Sequence, residues 1–325
     1  MAKPTRYIVA LALTLVGAGA ALAITGALTG GLRSVYFGDD GFYLGSEANI
    51  GTGRQYESFE SFSDIDIDVT AYQIAFREGD GYSVEITRAS ELPGPDISLE
   101  GDRLVISGAG HERSGEPRWV SLMRGTIFEN GIVGLINGRW SGEGRRDMVI
   151  SYPKGAALGN VGIVIGAADI GIYGLKAESL DISCSFGNLY VSGSDFSRLR
   201  ASLDAGNCEL DGVRADTAGF SLNAGSLSSR GLDSGGLEAD IDVGGIDIEG
   251  TLRGDTRVSA GTGDVRLESG LPESEYDIDL DVSIGVATID GDRTPEGGFR
   301  SGGGAENSLS VSAALGSVYI KFGGR

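Results

Sequence analysis

The chain has 325 residues, enough for one large or two moderate domains, and a formal net charge of −20 that repels phosphate backbones and anionic headgroups. Nucleic acid is therefore excluded as an expected partner. With 55 glycines, only 7 prolines and no Gly-X-Y period, the composition rules out collagen and argues against a disordered linker, leaving glycine as regular punctuation in a folded array. Two cysteines, Cys184 and Cys208, are too few for a disulfide-built scaffold and form no metal motif.

In chain order, Lys3 and Arg6 precede an uncharged stretch over Tyr7–Leu32. A bilayer takes about 20 apolar residues to span, and the leading positive charges place the N-terminus in the cytoplasm. Residues 1–33 are thus expected to be one transmembrane helix, holding the protein in the cell membrane through residues 7–32 with the bulk of the chain extracytoplasmic. A cleaved signal segment is the alternative, since Ala21-Leu22-Ala23 offers a small-x-small site, and would leave the chain periplasmic or secreted. The apolar run continues through Ile24, Ala27 and Leu28, which favours the uncleaved anchor. Residues 34–55 read as a linker.

Residues 56–110 read as strands. Ile65, Ile67 and Val69 alternate with Asp64, Asp66 and Asp68, and further alternation follows at Val84-Ile86 and Leu104-Ile106. This region is expected to start the sheet and cap it. Residues 111–147 break the rhythm and read as an irregular insertion carrying both tryptophans. It is either a loop folded over the flank or a partner contact, in which Trp119, Phe128 and Trp140 are the candidate docking residues.

From 148 to 322 the chain repeats. Gly187, Gly206, Gly225, Gly244 and Gly263 are each 19 residues apart, and a second series at Gly174, Gly193, Gly212, Gly231 and Gly250 has the same spacing. Between them apolar residues alternate with period two. One unit has Leu180, Ile182, Cys184 and Phe186 before the first glycine, then Leu189 and Val191 after it. Inward parity slips by one residue across that glycine, as a corner demands. Two strands, a glycine corner and a closing turn make one coil. The expected fold is an all-β, single-stranded, right-handed-type β-solenoid of about eight coils, some 38 Å of stack at about 4.8 Å per strand. The last two coils, Ile278–Gly291 and Leu309–Phe322, are separated by a Gly-rich excursion.

The segment Asp147-Met-Val-Ile-Ser-Tyr-Pro-Lys-Gly, with stepped units such as Leu180–Gly193, resembles the bacterial β-strand-repeat family of unknown function whose members carry an adhesin label. The opening Phe59-x-x-Phe62-x-x-Ile65-x-Ile67-x-Val69 is similar to that family's start. The resemblance covers residues 56 to 322. It implies an extracytoplasmic β-solenoid, commonly behind an N-terminal transmembrane segment, and supplies no catalytic residues.

Stacking in register places residues 19 apart into columns on the solvent face. One column, Ser183, Ser202, Ser221, Asp240 and Ser259, is the candidate binding face. A second, Asp181, Arg200, Gly219, Glu238 and Arg257, alternates in charge, as does Asp211, Arg230 and Glu249; both read as cross-strand pairing on a solvated sheet. Paired acids such as Glu238, Asp240 and Asp242 are weak evidence for glycoside hydrolysis, because strand spacing alone brings acids in adjacent coils that close. A Ser-His-Asp or Cys-His site needs a histidine, and the single one, His111, sits in the insertion. The calcium-binding nonapeptide is matched only in part, at Gly244-Gly245-Ile246-Asp247. The expectation is therefore a protein without cofactor or metal, not an enzyme, that presents a binding or adhesion surface to envelope glycan or protein. The alternatives are an envelope or signalling scaffold docking a membrane partner and, further off, a carbohydrate-active β-helix.

Overall fold

A computed structural model describes residues 35–38, 41–44, 52–89, 94–108, 146–295 and 298–323. The expected transmembrane segment, residues 7–32, lies outside the described residues, as do residues 111–145 of the insertion with His111, Trp119, Phe128 and Trp140; its last residue, Asp147, opens the strand Asp147–Pro153. Among the described residues no helix is long and apolar enough to cross a membrane. The chain divides into two compact units. The described part of the first is a pair of antiparallel strands, Val35–Gly38 and Gly41–Leu44, inside the stretch expected to be linker. All other described residues belong to the second, which is the repeat array.

One coil shows how the array is built. The long strand Lys176–Phe186 turns at Gly187 into the short strand Leu189–Ser192, which closes at Gly193. Along the long strand Leu180, Ile182 and Cys184 are buried between outward-facing Asp181 and Ser183, and along the short strand Leu189 and Val191 are buried. Along the regular run of the array each coil lies parallel to the next with a 19-residue offset, so Leu180 pairs with Leu199 and Leu189 with Cys208. Like side chains stack on like and merge into one continuous apolar core from Phe62 to Phe322. The packing unit is the interface between neighbouring coils, since a single coil cannot bury its own inward face.

The corner glycines answer two demands. Their φ is +134° at Gly187 and +146° to +149° at the next four, outside the range L side chains favour. A Cβ on Gly206 would also lie 1.6 Å from the Gly187 carbonyl oxygen, and Gly225 meets Gly206 in the same way. The second series departs from expectation at its last two members. Gly174, Gly193 and Gly212 take left-handed turns with φ between +58° and +67°, whereas Gly231, still left-handed, lies within the strand Leu227–Ser234, and Gly250 lies within the strand Ile246–Leu252, with the turn moved to Gly254. The ladder explains this: it shifts between Ser229 and Leu232, which extends the strand Leu227–Ser234 past the glycine.

Chain order and stack order part company at both ends of the array. Asp255–Thr262 pairs with Asn307–Leu315, which pairs in turn with Tyr276–Ile284. The last segment of the chain therefore fills the penultimate position, and the coil that precedes it in sequence ends the stack. The N-terminal end mirrors this: Ala157–Ala167 rests on Asp64–Ala71, which rests on the later segment Arg103–Ser107. The β region before residue 110 thus supplies coils of the array as well as its cover, and the parallel stack of long strands is longer than the eight coils expected. It runs 103–107, 64–71, 157–167, 176–186, 195–205, 214–224, 237–243, 255–262, 307–315, 276–284. Antiparallel strands cover the outer edges: Asp96–Glu100 lies on Arg103–Ser107, and Phe299–Ser301 on Ile278–Leu280. Covered edges of this kind limit edge-to-edge association.

Candidate functional site

The long strands place Ser183, Ser202, Ser221, Asp240 and Ser259 side by side as direct partners in successive coils. The column continues to Ser312 and Asp281 at the far end, and to Val164 and Asp68 at the near one. Alternation dictates that these side chains face outward, since Ile182, Cys184, Ala201 and Leu203 on either side of them are buried. Ser183, Ser202, Ser221 and Asp240 are exposed and Ser259 is half-buried. Small side chains at about 4.8 Å intervals keep this face low in relief and repeat one hydroxyl per coil, with Asp240 the single carboxylate among the five.

The neighbouring column holds Asp181, Arg200, Gly219, Glu238 and Arg257 in register as expected, but its charges do not pair straight across. Asp181 instead meets Arg198 diagonally, at 3.8 Å, with both side chains nearly half exposed. Such a pair contributes about 0–1 kcal/mol. On the short-strand wall Asp211 faces Arg230, but the ladder shift after Ser229 leaves Arg230 and Glu249 unpaired as strand partners. The acidic trio Glu238, Asp240 and Asp242 sits on one strand, with each member exposed.

A row of side-chain hydrogen bonds runs along the corner just past the glycines. Asn188 Nδ2 donates to Asp169 Oδ1 at 2.8 Å, Asn207 Nδ2 to Asn188 Oδ1 at 3.1 Å, and the Ser226 amide to Asn207 Oδ1 at 3.1 Å. The signal was present in the sequence as four polar residues 19 apart, each following the corner glycine or its equivalent. It is structural: the bonds bind coil to coil where the ladder bends.

Both cysteines are buried free thiols facing inward. Burial pushes Cys184 up to about 11 and Cys208 up to about 12, so neither carries a thiolate for chemistry near neutrality. Burial also raises Tyr152 and Tyr276; the Tyr152 hydroxyl donates to the Tyr173 carbonyl at 2.9 Å. Among the described residues Asp277 is also displaced: its carboxylate accepts the amides of Gly304, Ala305 and Gly303 and is held below its ordinary value by them. It anchors the return loop that leads into the inserted penultimate coil. Among the described residues no three His, Cys, Asp or Glu side chains converge as a metal cage.

Comparison with known proteins places the chain. The model of the Toastrack DUF4097 family matches residues 62–316, so the chain belongs to that family, one whose function is unknown. Among solved structures, a protein provisionally designated an adhesin from Bacteroides fragilis NCTC 9343 is similar at 11% identity, covering 83% of this chain and 97% of that one, with a TM-score of 0.47. A second provisionally designated adhesin, from Parabacteroides distasonis ATCC 8503, is similar at 10% identity over 84% and 97%, with a TM-score of 0.38. A protein of the same organism provisionally designated lipid-binding is similar at 12% identity over 84% and 97%, also at 0.38. No curated protein matches.

Proposed function

We propose that the protein is a membrane-anchored, extracytoplasmic β-solenoid whose long-strand wall is a non-catalytic binding or adhesion surface for envelope glycan or protein. The observation that carries the proposal is the column of Ser183, Ser202, Ser221 and Asp240, exposed and in register over four successive coils. A surface of this kind gains affinity by repetition. Each hydroxyl offers one weak hydrogen bond, and a ligand that spans several coils engages them at a high effective concentration. Catalysis asks instead for titratable groups displaced from their ordinary values within a concave site. Among the described residues the groups so displaced are inward thiols, two buried phenols and a loop-bound carboxylate, and none belongs to the column. The uncharged stretch Tyr7–Leu32 supports the anchor and the outward placement of the array.

Retention of the purified full chain on isolated cell-envelope material tests this reading. Joint replacement of Ser183, Ser202, Ser221 and Asp240 by lysine is expected to abolish retention while leaving the melting curve in place. Retention that survives those changes, and disappears when residues 111–147 are replaced by a short linker, would transfer the function to a docking segment containing Trp119, Phe128 and Trp140.

A further inference from the structure

The short-strand wall carries a feature that the glycine and serine columns do not contain. Tyr173 and Tyr190 lie on adjacent short strands, their ring centroids 5.6 Å apart and their planes inclined by 47°. Tyr173 is 48% exposed although it stands on a sheet whose inward neighbours, Ile172 and Val191, are fully buried. Its ring lies across Gly171: a Cβ there would come within 2.9 Å of the Tyr173 Cε2 and 3.1 Å of its hydroxyl. The bare glycine backbone is the floor on which the ring rests. From below, the Tyr152 hydroxyl holds the Tyr173 carbonyl at 2.9 Å, so the residue is fixed before any ligand arrives.

From this arrangement we infer a second recognition site, in which the exposed faces of the two packed tyrosines form a stacking platform for an uncharged, β-linked hexopyranose of an envelope glycan. The inference rests on the reading that this domain binds envelope material, and it supplies a ligand class on a wall that reading does not use. The chemistry follows from the two kinds of surface present. A β-hexopyranose with equatorial hydroxyls exposes axial C–H bonds on its faces, and these sit favourably against the electron-rich face of a phenol ring. Its rim of hydroxyls needs donors and acceptors beside the ring. Glu209 is the strand partner of Tyr190, and Arg77 follows Phe76, the partner of Ile172, which puts it one strand from Tyr173 on the other side. Both are exposed. Ser192, the partner of Tyr173, adds a hydroxyl between them. A net charge of −20 selects against uronates and phosphate-bearing polymers.

The test titrates the full chain, in a sugar-free detergent, with cellohexaose, with chitohexaose and with hexagalacturonate, followed by calorimetry. The expected result is saturable binding of one or both uncharged hexamers, at least about tenfold weaker in Tyr173→Leu and in Tyr190→Leu, with melting transitions unchanged. Gly171→Ala, which lifts the Tyr173 ring off its floor without removing it, is expected to weaken binding in the same direction. Absence of saturable binding to both uncharged hexamers, equal affinity in the leucine variants, or preference for hexagalacturonate would each overturn the inference. Undiminished envelope retention by the leucine variants would leave the long-strand reading standing, whereas hexamer binding without retention on envelope would sink that reading alone.

Discussion

Leu203→Asp and Ser202→Asp form a matched pair that tests which way the sheet faces. Leu203 is 2% exposed and stacks between Cys184 and Leu222 of the adjacent coils. Replacing it forfeits about 1.5–3 kcal/mol of apolar burial and puts a carboxylate into the core between Cys184 and Leu222, neither of which can pair with it, which costs several kcal/mol more. Together these reach at least about 5 kcal/mol, comparable to the entire stability of many domains. In a stack whose coils depend on their neighbours, the loss spreads to the coils holding Cys184 and Leu222. Ser202 is one residue away but outward, so an aspartate there is expected to change stability by no more than about 0.5 kcal/mol. Thermal and urea unfolding followed by circular dichroism provide the readout. A Leu203→Asp protein that melts like wild type, or a Ser202→Asp protein that does not fold, would refute the assignment of inside and outside.

Further predictions concern the corners, the thiols, the return loop and topology. Gly206→Ala should lower the melting temperature sharply, because its Cβ would sit 1.6 Å from the Gly187 carbonyl at a φ of +149°; Gly303→Ala, in the exposed return loop with open space around it, should cost much less. Cys184 and Cys208 should resist a thiol reagent until the protein is denatured. Their raised values also predict a stability that is complete below the ordinary thiol value of 9.0 and falls as pH rises from there toward about 11 and 12, because unfolding then releases protons; a flat alkaline limb of the denaturation curve would contradict this. Asp277, held low by the amides of Gly304, Ala305 and Gly303, should stabilise the return loop above its ordinary value of 3.8 and release it as pH falls below that, seen as a loss of protection of those amides relative to their intrinsic exchange rate. Protease added to intact spheroplasts should digest the array; full protection until lysis would reverse the expected orientation.

How much of this was legible in the sequence depends on the kind of contact. The faces and columns were readable because period-two alternation assigns each residue to a side, and a constant 19-residue offset then assigns its neighbour, as for Ser202 beside Ser183 and Ser221. Chain ends were not. Leu309 pairs both with Thr256 and with Ile278, and the apolar pattern of its strand suits either neighbour equally, so nothing local distinguishes insertion from addition. The misplaced turn at Gly250 has a similar origin: a one-residue shift in the ladder after Ser229 leaves the spacing of glycines intact while changing their roles. Tyr173 and Tyr190 escaped a search by columns because they meet on a diagonal, across Gly171.

If the long-strand wall is the surface that touches the ligand, site-specific photocrosslinking in living cells should place the contact there. Benzoylphenylalanine at Ser202 or Ser221 stands in the exposed column, while the same residue at Asp216, also exposed, sits near the start of the strand Arg214–Ala224 and outside that column. Covalent capture of envelope material is expected from Ser202 and Ser221, and little from Asp216. Equal capture at all three positions, or capture from Asp216 alone, would contradict it.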